Sequence, residues 1–280
     1  MSDVWPPPEP VSGVARRTAT QAESIEANRA WWDAEARDYL EEHGGFLGDA
    51  DLVWGPEGWR EEQLRVLGPP GRLRGALVLE FGGGAAQGAR WCATQGARVV
   101  SSDLSAGMLA TARAIDARHD GPAPPLVQAD ATRLPIADGV VDVAFSAYGA
   151  VPFVADGAGL VAELARVLRP GGRLAYSTSH PVRWAFPDEP DETGLGVSGS
   201  YFDETPYVEV DDAGRATYVE HHRTTSRRVR DVLDAGLVLV DLLEPPWPAW
   251  NGATWGGWSP LRGAHLPGTL VVVAEKPASR

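Results

Sequence analysis

Apolar positions follow two periods along the chain. Short continuous runs, the pattern of strands buried on both faces, recur through the middle and at the end, and helix-like spacings of three and four residues lie between them. Residues 76–79 are such a run, followed by a helix over 85–93 with Ala85, Ala89, Cys92 and Ala93 on one face. A strand at 97–100 comes next, then a helix capped by Ser105 and lined by Met108, Leu109, Ala112 and Ile115. Strands at 126–128 and 140–145 precede a helical stripe of Leu160, Val161, Leu164, Val167 and Leu168. Pro170-Gly171-Gly172 turns the chain into a strand at 173–178. A helix at 225–235 and strands at 237–242 and 269–274 complete the series. Strands alternating with helices predict the α/β class, a doubly wound and mostly parallel sheet.

The flanks read differently. Residues 1–20 hold Pro6-Pro7-Pro8 and Pro10 without apolar periodicity and read as a disordered leader. A helix over 22–43 places Ile25, Trp32, Ala36 and Tyr39 on one face, with Gly44-Gly45 as its stop. Pro56 suits the first turn of a second helix over 56–67. Residues 181–223 are polar, rich in aromatics and too long for an ordinary loop. Inside them, 207–210 and 216–220 flank Asp211-Asp212-Ala213-Gly214, a hairpin signal. The organisation predicted is one domain over 21–280, with a helical cover at 21–70 and an inserted lid at 181–223.

The first strand ends in chemistry. Glu80 closes it, and Gly82, Gly83 and Gly84 follow one residue later. A strand, glycine turn and helix let a ligand touch backbone that no Cβ shields. The next strand leads to Asp103, which would stand beside that turn, where a carboxylate can hold both hydroxyls of a ribose. A dinucleotide site wants G-x-G-x-x-G, but here the third position is Gln87 and Gly88 falls one residue late. Glu80 also opposes a pyrophosphate. These residues favour S-adenosylmethionine, with an NAD-dependent oxidoreductase and a non-catalytic adenosyl-ligand-binding protein as alternatives.

A net charge of −13 weighs against nucleic acid or anionic membrane as partner. One cysteine, Cys92, rules out an intramolecular disulfide and a cysteine-based metal cluster, and no metal is expected. With no bilayer-length apolar run and no signal peptide, a cytoplasmic protein is expected.

Five segments stand in register: V-L-E-F-G-G-G-A-A-Q-G, V-V-S-S-D-L-S-A-G-M-L, V-Q-A-D-A-T-R-L-P, V-D-V-A-F-S-A-Y-G and L-R-P-G-G-R-L. Together they resemble the class I S-adenosylmethionine-dependent methyltransferases, in the small-molecule branch related to the ubiquinone and menaquinone methyltransferases. The resemblance covers roughly 75–180. It implies a seven-stranded Rossmann-like sheet, with S-adenosylhomocysteine as product and the methyl group passing to an oxygen or nitrogen of a small molecule. It also implies roles. Glu80 would engage the amino-acid end of the cofactor, Gly82, Gly83 and Gly84 its methionine portion, and Asp103 the ribose. Leu104 and Met108 would cover the adenine, Asp130 and Ala131 would bond it, and Ser146 and Tyr148 would stand where cofactor and acceptor meet. Tyr39, from the N-terminal cover, joins this cofactor set. Ala85-Ala86 departs from the G-x-G-x-G of many relatives.

The acceptor must be bound by what remains near the strand ends. A base for a hydroxyl or amine acceptor would be a histidine, its pKa lying near neutral, and His180 and His222 are the candidates. Trp31, Trp184 and Tyr201 are the expected walls of a pocket for an aromatic or apolar acceptor. No N-P-P-Y run follows the fourth strand, where S-A-Y-G stands instead, which makes nucleic-acid acceptors less favoured.

Overall fold

Apolar runs of this kind assemble side by side because neither face of such a strand can be left in water. The computed structural model describes residues 13–278. The chain begins with β1 (Val14–Arg16), α1 (Gln21–Leu47) and α2 (Glu61–Leu64). Then follow β2 (Leu77–Phe81), α3 (Gln87–Thr94), β3 (Arg98–Asp103), α4 (Ala106–Asp116), β4 (Leu126–Gln128), β5 (Val141–Ser146), α5 (Gly157–Val167) and β6 (Leu168–Ser179). The last third holds β7 (Tyr207–Val210), β8 (Ala216–Glu220), α6 (Thr225–Asp234), β9 (Val238–Leu243), α7 (Pro260–Gly263) and β10 (Thr269–Glu275).

Seven strands make one sheet in the order β4-β3-β2-β5-β6-β10-β9. The pairings from β4 through β6 are parallel, and β10 runs antiparallel to both its neighbours. This is the doubly wound α/β sheet that the alternation predicts. On one face Leu160, Leu164 and Val232, from α5 and α6, pack on Leu79 and Val272. On the other, Ala89, Cys92 and Ala112, from α3 and α4, pack on Val78, Val143 and Val271. Each fully buried Leu or Val side chain among them contributes about 1.5–3 kcal/mol. The strand order changes direction between β2 and β5, and a crevice opens there at the C-terminal strand ends.

A cover closes the crevice. The β7–β8 hairpin joins β1 in a three-stranded antiparallel sheet, ordered β1-β7-β8. Helix α1 lies against β8, and buried Asn28 imitates a strand there. Its Oδ1 accepts from Val219 N–H (2.8 Å) and its Nδ2 donates to Val219 C=O (2.9 Å). Further along α1, Asp33 Oδ1 accepts from Ser105 Oγ–H (2.7 Å) and Gly107 N–H (2.8 Å), which pins the helix to the start of α4.

Several expectations need correction. Of the leader read at 1–20, residues 1–12 lie outside the described part. Residues 14–16 are a strand paired to β7, and Thr20 caps α1 by accepting from Glu23 N–H. Gly44-Gly45 does not stop α1, which runs on to Gly48, where a φ of 71° breaks it. The helix read at 56–67 shrinks to the single turn of α2. The buried Glu61 carboxylate is the reason: it takes the N–H groups of Val66 (3.0 Å) and Leu67 (2.8 Å) that a longer helix would use itself. The strand read from 173 starts at Leu168, which pairs with Val141. The hairpin falls at the residues expected.

Candidate functional site

The glycine turn has a separate reason for each residue. Gly82 and Gly84 sit at φ 58° and 53°, a region where a side chain is strained. A Cβ on Gly82 would also lie 2.5 Å from that of Ala150. A Cβ on Gly83 would meet Glu80 Oε2 at 2.5 Å, and one on Gly88 would meet Glu80 Oε1 at 2.6 Å and the Phe145 ring at 2.9 Å. Gly88, one place late for a dinucleotide fingerprint, is thus what lets α3 sit down on Glu80 and Phe145. Ala86 carries the left-handed turn into α3 at φ 59°, so the departure from G-x-G-x-G costs strain of about 1–2 kcal/mol rather than a changed path.

Two carboxylates frame this turn. Glu80 is buried and accepts from Ser101 Oγ–H at 2.6 Å. Burial pushes its pKa up to about 7, against the lowering bonds from Ser101 and the Ala89 N–H. No arginine or lysine forms an ion pair with it among the described residues, and Arg90 acts on it only through its longer-range charge. Asp103 holds the turn from the other side, accepting from Gly84 N–H and Ser105 N–H, each at 2.8 Å. Burial raises its pKa too. Each oxygen keeps a lone pair for another donor. Asp130 accepts from the backbone N–H and hydroxyl of Thr132, which fixes its orientation.

Glu80, the glycine turn, Asp103 and Asp130 line one cavity of about 640 Å³ at the C-terminal strand ends. Of the residues expected to hold a cofactor, it brings together Glu80, Gly82, Gly83, Gly84, Asp103, Leu104, Met108, Asp130, Ala131, Tyr148 and Tyr39. Tyr148 is held at φ 58°, a strained conformation for so bulky a residue. Its N–H donates to Ser177 Oγ (2.8 Å), and its hydroxyl accepts from Ser179 Oγ–H (3.1 Å). Ser146 is a correction. It is fully buried behind Gly149, and its hydroxyl does not reach the cavity.

The opposite half is aromatic. Trp31 stands edge-on to Trp32 (4.6 Å between ring centres) and tilted on Tyr218 (5.0 Å), and Phe153 meets both Trp32 and Tyr218. Trp31 is where it was expected, on the wall. Trp184 and Tyr201 are not. Trp184 is turned away from the cavity, between the guanidinium groups of Arg16 and Arg183 and beside His222. Tyr201 fastens the insertion to the start of α6, its hydroxyl accepting from Thr225 N–H (2.8 Å).

The two histidines expected as bases are also elsewhere. His180 caps the short turn Pro181–Ala185: its Nδ1 accepts from Val182 N–H (3.1 Å) and its Nε2 faces Glu244 (2.8 Å). Both ring nitrogens are committed, and the ring does not line the cavity. Because β8 ends at Glu220, His222 leaves the strand and turns into the protein, donating from Nε2 to Tyr201 C=O (2.7 Å). The histidine on the cavity wall is His43, from the last turns of α1. It stacks on Trp255 (3.9 Å, 13°) with Tyr39 edge-on (4.6 Å). Burial holds its pKa below the ordinary value. Sequence reading also missed Arg183, Tyr218 and Glu220, which line the acceptor side. The hairpin alternation carries the signal for the last two, since Tyr218 and Glu220 share one face of β8.

Comparison with known proteins agrees with this geometry. Residues 79–176 match the family model of a methyltransferase domain. A demethylmenaquinone methyltransferase of Mycolicibacterium vanbaalenii is 45% identical over 97 residues, which are 35% of this chain and 39% of that protein. The chain spans about half the length, or less, of the curated relatives it matches. Among solved structures, an S-adenosylmethionine dependent methyltransferase from Mesorhizobium loti superposes with a TM-score of 0.62 at 26% identity, over 79% of this chain and all of that one. The fold also matches the 1,6-didemethyltoxoflavin-N1-methyltransferase of Burkholderia thailandensis (TM-score 0.58, 18% identity, 93% of this chain and 92% of that one). Residues 79–176 thus match a methyltransferase domain, and the sheet is the one found in solved S-adenosylmethionine dependent methyltransferases. Over this part the chain is similar to demethylmenaquinone methyltransferases.

Proposed function

We propose that the chain transfers the methyl group of S-adenosylmethionine to an oxygen or nitrogen of a small aromatic or apolar molecule. One observation carries this reading: a single cavity joins the half framed by Glu80, Gly84, Asp103 and Asp130 to a half walled by Trp31, Trp32, Phe153 and Tyr218. The first half suits the cofactor. Buried Glu80 lacks a cation that an ammonium group would supply, the glycines leave a cradle that any Cβ would fill, and Asp103 has lone pairs for two ribose hydroxyls. Asp130 and Ala131 would take the adenine edge, with Leu104 and Met108 over its face. When bound, the cofactor supplies an electrophilic methyl group on a positively charged sulfur.

The rest of the chain then has to align and dry the nucleophile. The N-terminal cover at 21–70 and the lid at 181–223 would do this, since Tyr39 and His43 come from one, and Arg183, Tyr218 and Glu220 from the other. Alignment and water exclusion supply much of the rate in an in-line displacement. Where the acceptor must lose a proton, His43 is the base: its lowered pKa leaves the ring neutral at pH 7 and able to accept one.

The test is calorimetry with S-adenosylhomocysteine and with NAD, followed by mass spectrometry of aromatic hydroxyl and amine pools incubated with enzyme and S-adenosylmethionine. Binding of S-adenosylhomocysteine without NAD, and a gain of one methyl group in a pool, is expected. NAD binding without S-adenosylhomocysteine would overturn the reading.

A further inference from the structure

The acceptor half holds one group that aromatic packing does not account for. Arg183 leaves the end of β6 in the turn Pro181–Ala185 and presents its guanidinium to the cavity. Its Nη1 donates to Glu220 Oε2 at 3.1 Å, and its Nη2 makes only a long contact, 3.4 Å, with Asp188 Oδ2. A guanidinium has five N–H donors. The other three have no acceptor among the described residues.

The surroundings fix this arginine in place. Glu220 is held on its other oxygen by the Tyr218 hydroxyl, which donates at 2.6 Å and so fixes the carboxylate's orientation toward Arg183. Trp184 backs the guanidinium at 5.0 Å on the side away from the cavity. Asp188 is more than half exposed and shares its charge with buried Arg262 at 3.4 Å. Arg183 is the one arginine or lysine among the described residues that line the cavity, and with Arg262 it offsets Glu220 and Asp188 at this end. The cofactor half, by contrast, is acidic through Glu80, Asp103 and Asp130, so an anionic group on the acceptor has only the Arg183 end to occupy.

We propose that the acceptor is an aromatic acid, its ring stacked among Trp31, Phe153 and Tyr218 and its carboxylate held by the free N–H groups of Arg183. A planar fork with several free donors matches the two oxygens of a carboxylate, where a lysine would offer one point charge. The inference rests on the methyltransferase reading for what happens to the acceptor. The recognition itself does not need the cofactor.

Two probes of equal shape test it: 1-hydroxy-2-naphthoate and its neutral amide, 1-hydroxy-2-naphthamide. Their binding is measured by quenching of tryptophan fluorescence, with and without S-adenosylhomocysteine. The acid is expected to bind at least about tenfold more tightly than the amide. Arg183→Gln alone leaves Glu220 uncompensated and risks the fold, so the main variant is Arg183→Gln with Glu220→Gln. In that protein the preference should vanish while S-adenosylhomocysteine affinity stays within threefold, and Arg183→Lys should keep only part of it. Equal affinity for acid and amide in the wild-type protein would overturn the proposal, as would a preference that survives in the double variant. Because the comparison is also run on the free protein, failure to bind S-adenosylhomocysteine would count against the cofactor reading alone.

Discussion

Replacing Glu80 by Gln should move stability and cofactor affinity in opposite directions. The carboxylate is 3% exposed, with one hydroxyl donor at 2.6 Å and no cation against it. Burial pushes its pKa from the ordinary 4.5 to about 7, so the folded state holds this proton more firmly than the unfolded chain does. The stabilisation is therefore complete below about pH 4.5 and is lost as the pH rises through 7. The rise corresponds to about 3 kcal/mol, at ~1.36 kcal/mol for each factor of ten. Glutamine keeps the shape and the bond from Ser101 but buries an NH₂ that needs a partner, at about 1 kcal/mol. The free Glu80→Gln protein should then be more stable than wild type by about 2 kcal/mol at pH 8, and nearly equal to it at pH 5. At about 2 °C per kcal/mol for a chain of this size, that is a melting temperature roughly 4 °C higher. With S-adenosylhomocysteine the order reverses. Losing a charge-assisted bond of about 1.5–3 kcal/mol weakens binding roughly 10- to 100-fold. Thermal melts at both pH values, with and without ligand, together with titration calorimetry, measure all of this. A variant that melts at or below wild type at pH 8 and binds with unchanged affinity would refute the assignment of Glu80 as a carboxylate waiting for a cation.

Asp103→Ala should weaken S-adenosylhomocysteine at least about tenfold by calorimetry, because it removes the proposed acceptor for two ribose hydroxyls and also frees the Gly84 and Ser105 N–H groups. His180→Ala should change turnover less than about threefold but lower stability by about 1 kcal/mol, the usual worth of a lost cap. His43→Ala, on acceptors that must lose a proton, should lower turnover about a hundredfold with a changed pH profile. The reverse pattern in these two variants would return the base to His180.

The sheet was legible because its strands are continuous apolar runs and its turns carry glycine or acidic residues at their ends, local signals that need no tertiary context. The hairpin was legible residue for residue for the same reason, Asp211-Asp212-Ala213-Gly214 being a turn in its own right. The cofactor half of the cavity followed, since its residues stand where strands end. Less could be read of the acceptor half. Whether Trp184 faces the cavity or Arg16 depends on the pairing of β1 with β7, a contact spanning most of the chain. His180 stands at a strand end like the cofactor residues, but Val182 and Glu244 fold back onto its ring, and only the structure shows that. His43 escaped notice because no local signal marks it: its ring stacks on Trp255, which lies far along the chain. The shortened second helix has another origin, the buried Glu61 carboxylate competing with the backbone for the N–H groups of Val66 and Leu67.

In the small sheet of the cover both sides of the β7–β8 hairpin are occupied: β1 lies along β7, and Asn28 of α1 satisfies the backbone of Val219 in β8. An isolated hairpin would present rows of bare N–H and C=O groups on both sides, ready to recruit a strand from another molecule. Residues 14–16 and Asn28 thus act as guards against self-association, in addition to whatever they do for the acceptor. Shortening the chain to Gln21 would spare every cofactor-facing residue and still leave Tyr207–Val210 as an open template for aggregation.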